Sequence, residues 1–105
     1  MSTWISVFCV DDVENGQHRV VDIDDTEVVI FKVDDHFFAI ENVCSHDGGE
    51  IASGDVENGE IICPRHGARF CIKTGDVKCP PAYEGIESYR VRVVNHHVQI
   101  QNPHD

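Results

Sequence analysis

Basic residues are scarce in this chain, which carries 8 Lys and Arg against 19 Asp and Glu in 105 residues, a formal charge of −11. A phosphate backbone would be repelled by such a surface, so the balance argues against nucleic-acid binding. Long apolar runs are also missing, since no stretch approaches the roughly 20 residues that span a bilayer. The opening Met1-Ser2-Thr3-Trp4 has no basic region followed by an apolar segment, as a secretory leader would. The expectation is a soluble cytoplasmic protein with no membrane attachment. No Gly-x-Gly-x-x-Gly fingerprint for a dinucleotide occurs, and there is no internal repeat or low-complexity tract. The length suits one domain, 1–105, with no second domain for a nucleotide or substrate.

Helical periodicity is absent as well, and short β-type runs take its place. Trp4 to Val10 alternates loosely, Arg19 to Ile23 is a second run, and Glu27 to Val33 is rich in Val, Ile and Phe. Asp34-Asp35 reads as a tight turn returning Phe37 to Ile40 antiparallel to Val28 to Val33, and Tyr89 to Val94 pairs with Val98 to Gln101 around Asn95-His96. The chain is predicted to be all-β and antiparallel.

Between these hairpins, Cys44 to Pro81 holds most of the glycines, three of the four prolines and four of the five cysteines. Gly and Pro at that density mark loops with specified turns, and only Glu60 to Cys63 and Ala68 to Ile72 look strand-like, separated by turn material such as Glu57-Asn58-Gly59. Five cysteines, an odd number with no leader, argue against a disulfide framework and for metal binding, reactivity or core use.

Two loops pair a thiol with an imidazole. The first reads Cys44-Ser45-His46-Asp47-Gly48-Gly49 and the second Cys63-Pro64-Arg65-His66-Gly67, with 16 residues between His46 and Cys63. Cys and His two or three positions apart on a turn can face one metal centre. Zinc is one candidate, although its common spacing groups two cysteines on one knuckle and two histidines on a helix. Interleaved pairs suit a dinuclear iron centre, in which each loop gives one residue to each iron.

The pattern Cys-x-His, a spacer, then Cys-x-x-His resembles the Rieske [2Fe–2S] proteins, and Pro64, Gly67, Phe70, Thr74-Gly75 and Pro80-Pro81-Ala82 extend the resemblance along the chain. It is most similar to the small ferredoxins that serve aromatic-ring dioxygenases of the 3-phenylpropionate and biphenyl type. The resemblance implies a β-sandwich or barrel with two cluster loops at one end, a cluster-binding subdomain at about 44–82, and one [2Fe–2S] cluster per chain on Cys44, His46, Cys63 and His66. It further implies a non-enzymatic, monomeric, low-potential one-electron carrier between a flavin-dependent NAD(P)H reductase and a terminal oxygenase. The alternative is a tightly bound Rieske subunit of a larger oxidoreductase, like the nitrite reductase small subunit, or an iron–sulfur assembly component.

Respiratory-chain relatives have an extra cysteine in each loop, joined as a disulfide, where this chain has Gly49 and Arg65. They also place a Ser and a Tyr, whose hydroxyls bond to sulfur, where it has Ala68 and Phe70. The resemblance therefore implies loops without a disulfide and a lower potential. Cys9 and Cys71 read as buried strand residues, Cys79 as a lid residue, and His18, His36, His96, His97 and His104 as surface. Arg65, Arg69, Asp47 and Glu50 are expected to rim the cluster end.

Overall fold

The run Val28-Val29-Ile30-Phe31 is apolar at every position, and successive side chains of a strand point to opposite faces. Such a strand needs a core on both sides. In the computed structural model, which describes residues 3–104, Val29 and Phe31 join one core with Ile40, Ile51, Ile61, Phe70 and Ile72. Val28 and Ile30 join another with Phe8, Val13, Ile23, Val98 and Ile100. The next strand repeats the division, with Ile40 in the first core and Ala39 in the second. Met1 and Ser2, on which part of the leader reading falls, lie outside the described residues.

In chain order the strands are β1 (Trp4–Cys9), β2 (His18–Ile23), β3 (Thr26–Val33), β4 (His36–Glu41), β5 (Val56–Glu57), β6 (Glu60–Ile62), β7 (Arg69–Cys71), β8 (Val77–Cys79), β9 (Ser88–Tyr89), β10 (Val91–Val94) and β11 (His97–Gln101). Among the described residues they form three antiparallel sheets, ordered β1-β11-β10, β2-β3-β4-β9 and β5-β6-β7-β8. The middle sheet is the wall shared by both cores. The first core lies between it and the β5-β6-β7-β8 sheet, which carries the second Cys/His loop. No helix among the described residues is long and apolar enough to cross a membrane.

The tight turns follow from their residue types. Asp24-Asp25, Asp34-Asp35, Asn58-Gly59 and Asn95-His96 have positive φ at both central positions, the type I′ geometry that matches strand twist and that Asn, Asp and Gly tolerate best. The expected hairpin register holds, with Val28 opposite Glu41 and Val33 opposite His36. Two corrections concern the strands. Tyr89 to Val94 is not one strand: β9 pairs with β4 and β10 with β11, so the chain changes sheets at Arg90. The segments β5 and β8 are two and three residues long, too short to show a period of two, and Glu57-Asn58-Gly59 turns β5 into β6 and does not separate β6 from β7.

Gly54 sets how closely the first loop region lies on β6. A Cβ there would sit 1.9 Å from the Ile62 carbonyl oxygen, a backbone atom that is fixed because the Ile62 N–H donates to Asp55 O at 2.9 Å. Gly54→Ala should therefore destabilise the protein by about 1–3 kcal/mol, as overpacking does, lowering the urea midpoint. An unchanged midpoint would show that this approach is not tight.

Candidate metal centre

Each Cys/His loop is closed by two backbone hydrogen bonds in one pattern. In the first, Cys44 N–H donates to Gly49 O at 2.7 Å and Gly48 N–H donates back to Cys44 O at 2.7 Å. In the second, Cys63 N–H donates to Ala68 O at 2.7 Å and Gly67 N–H to Cys63 O at 3.1 Å. The returning residue is a glycine at φ +75° or +78°, which glycine adopts without strain. This closure turns the middle of each loop outward, while the cysteine at its head remains in the core.

The result is a division by chemistry. Cys44 and Cys63 are 0% and 1% exposed and pack in the core with Ile51, Ile61 and Phe70. His46 and His66 are exposed, with ring centroids 5.3 Å apart and planes at 90°. Burial pushes the Cys44 thiol up, against the N–H groups of His46 and Asp47, which favour its thiolate; the Cys63 thiol beside it adds to the rise. A cation between the two sulfurs would relieve that penalty. A carboxylate oxygen of Asp47 also lies within 4.8 Å of both sulfurs, but Asp47 is committed elsewhere. It accepts from Arg65 Nε, from a terminal nitrogen of Arg65 at 3.0 Å and from Gly49 N–H at 2.9 Å, contacts that hold its carboxyl well below the ordinary range, Arg65 most of all. Two soft sulfurs and two imidazoles remain, a donor set that fits a two-iron centre and, by composition alone, zinc.

A family comparison decides between them: the Rieske [2Fe–2S] domain matches residues 3–90. The chain belongs to the Rieske [2Fe–2S] family. Members of that family carry a two-iron, two-sulfide cluster, and the donor set above fits it. The ferredoxin component of the naphthalene 1,2-dioxygenase/salicylate 5-hydroxylase systems of Ralstonia sp is 32% identical over 98 residues, covering 93% of this chain and 94% of the relative. Among solved structures, the ferredoxin of carbazole 1,9a-dioxygenase from Nocardioides aromaticivorans IC177 superposes with a TM-score of 0.89 at 30% identity, covering 94% of this chain and 97% of that one. A ferredoxin in complex with the oxygenase of carbazole 1,9a-dioxygenase gives 0.88 at 26% identity, covering 94% and 93%.

The surroundings differ in part from expectation. Arg65 reaches Asp47 and, at 3.9 Å, Glu50. Arg69 does not join this group; its partners are Glu57 at 3.6 Å and Glu60 at 3.5 Å on the neighbouring hairpin, because β7 pairs with β6. All five cysteines are free. Cys9 and Cys71 lie on strands as expected but are half-buried, since both end their strands, and Cys79 sits on β8 opposite Arg69. The five other histidines are exposed. Three contributors carried no signal alone. Asn42 Oδ1 accepts from Ile51 and Ala52 N–H at 3.0 and 2.9 Å, fixing the return of the first loop. Ser45 Oγ donates to Glu84 O at 2.6 Å, and Tyr83, 81% exposed, lines a groove beside His46 with Pro81 and Glu84.

A third loop repeats the closure. Cys71 N–H donates to Asp76 O at 2.9 Å, and Gly75 N–H, at φ +79°, donates to Cys71 O at 2.8 Å. The sequence did hold this signal, because Cys-x-x-x-Gly occurs at Cys44, Cys63 and Cys71. Burial alone would raise the Cys71 thiol, but the Thr74 hydroxyl, the N–H groups of Lys73 and Thr74, and the Lys78 charge outweigh it, so the net shift is downward. With no imidazole in its loop, Cys71 falls outside the Cys/His pattern. Alkylation of Cys71 by iodoacetamide should have a pH midpoint below that of an ordinary thiol, and Cys71→Ser should retain all bound iron. Loss of iron in that variant would place Cys71 among the ligands.

Proposed function

We propose that the chain is the ferredoxin of an aromatic-ring dioxygenase-type system, a one-electron carrier from a flavin-dependent NAD(P)H reductase to a terminal Rieske-type oxygenase. The reading rests on the division at the metal centre, with thiols in the core and imidazoles at the surface. Cys44 and Cys63 would hold one iron and His46 and His66 the other. When bound, the cluster stores a single electron, its two ferric ions, two sulfides and two thiolates being neutral before reduction. The chain's own residues do the rest. The core around Cys44 and Cys63 keeps water from the sulfurs, and the exposed rings of His46 and His66 form the edge through which an electron leaves. Four protein ligands leave no open coordination position for a substrate, which makes the chain a carrier and not an enzyme.

Ala68 and Phe70, both fully buried in the core beside Cys63, bring no hydroxyl to the sulfurs. Added negative charge is then less stabilised, which sets the potential at the low end of the Rieske range, on the order of −150 mV. The residues 1–105 act as a single Rieske domain, monomeric, in the cytoplasm, and their acidity steers them to basic docking sites on both partners.

Stopped-flow reduction of the oxygenase by the reduced protein tests the function directly. The rate should fall as salt rises, because the Debye length shrinks from about 10 Å at 0.1 M to about 3 Å at 1 M. Glu84→Lys, in the groove beside His46, should slow transfer more than Asp24→Lys in the β2–β3 turn. No transfer would overturn the carrier reading, and a flat salt profile with equal effects from both variants would leave the acidity a matter of solubility alone.

A further inference from the structure

The two loops that carry the candidate ligands are closed separately, and among the described residues no backbone hydrogen bond runs from 44–49 to 63–68. Arg65 supplies the charged contact between them. Its guanidinium makes two parallel hydrogen bonds to the Asp47 carboxylate, the fork geometry that adds direction to attraction, and it lies 3.9 Å from Glu50. Asp47 is aimed by its own loop, since its Oδ1 also accepts from Gly49 N–H at 2.9 Å.

Gly49 makes room for this arrangement. A Cβ at that position would fall 2.6 Å from the guanidinium carbon and from one terminal nitrogen, so the planar group rests where any other residue would place its side chain. The pair is also placed by the common loop pattern. Counting from each cysteine, His46 and Arg65 are second in their loops, and Asp47 and His66 third. The two loops meet through both combinations of second and third position, one giving the adjacent imidazoles and the other the ion pair. Whatever fixes the ion pair therefore fixes the spacing of the imidazoles.

Resting on the ligand assignment above, we propose that Arg65 and Asp47 are positioning residues: a cross-loop clamp, seated on Gly49, that holds the two ligand loops at cluster spacing and keeps a positive charge beside the sulfurs. The charge sits close to sulfur: the Asp47 carboxylate on which the guanidinium is forked lies within 4.8 Å of both cysteine sulfurs, so a permanent positive charge stands near any further negative charge placed between them. Removing it should loosen the loops and lower the midpoint potential together.

The test uses the purified, cluster-loaded protein and three variants. Arg65→Met removes clamp and charge; Arg65→Lys keeps the charge without the fork; Gly49→Ala keeps both charges but puts a methyl group where the guanidinium rests. The measurements are the rate of bleaching by an iron chelator, the midpoint potential by protein-film voltammetry, and the urea midpoint. Arg65→Met should bleach several-fold faster and have a lower potential, Arg65→Lys should bleach faster with a potential close to the parent's, and Gly49→Ala should bleach faster than the parent. The urea midpoint should stay near the parent's in all three. If Arg65→Met does not retain a cluster, the other two variants decide. Bleaching rates and potentials equal to the parent's would overturn the clamp, as would bleaching that merely follows a fall in the urea midpoint. A parent protein without iron and sulfide would overturn the ligand assignment itself, and the clamp with it.

Discussion

The burial of two cysteine sulfurs in a core otherwise made of Ile, Val, Phe and Ala is the constraint on which the rest of this structure depends. Cys44 and Cys63 are as inaccessible as Ile61 and Phe70, and an ionised sulfur in such surroundings is unfavourable unless a cation lies against it. Each sulfur must therefore be delivered to the same place by a loop that can carry a second donor outward. The loop closure does this with one cysteine, one returning glycine and two backbone hydrogen bonds. Its middle residues are left free to present His46 and His66 to solvent.

The scaffold serves that arrangement. The middle sheet, apolar on both faces at β3, divides the interior into two cores, and only one contains the cysteines. The other, between β3 and the terminal strands β1 and β11, anchors the wall against which the half carrying the Cys/His loops is built. Function follows from the asymmetry: sulfurs shielded on one side, imidazole rings accessible on the other, and a net charge of −11 spread over turns and rims. An electron held at such a site would have a short path out through the exposed rings.

Much of this was legible in the sequence, for physical reasons. Residue types with strict turn preferences, such as Asp34-Asp35 and Asn95-His96, marked the hairpins, and the Val-, Ile- and Phe-rich run Glu27 to Val33 marked β3 as a strand, while its place between two cores shows only in the fold. The Cys-x-His and Cys-x-x-His loops carried both the donor set and the family resemblance. What escaped were features set by tertiary contact. The strands β5 and β8 are too short for periodicity, and the break at Arg90 appears only once β9 and β10 are seen on different sheets. The partners of Arg69 depend on which hairpin lies next to β7, and the role of Asn42 depends on a loop returning to it. Cys71 is the instructive case: its spacing to Gly75 repeated the pattern of the two metal loops, yet without an imidazole it looked like an ordinary strand residue.

In the proposed assignment one iron is held by the two cysteines and the other by the two histidines. Pulsed electron paramagnetic resonance of the reduced protein observes this most directly, because a nitrogen bound to the reduced iron leaves its own modulation. Two strongly coupled nitrogens are expected, with Cys9→Ser, Cys71→Ser and Cys79→Ser leaving the spectrum unchanged. A paramagnetic cluster with no coupled nitrogen, or one whose signal depends on any of those three cysteines, would contradict the assignment.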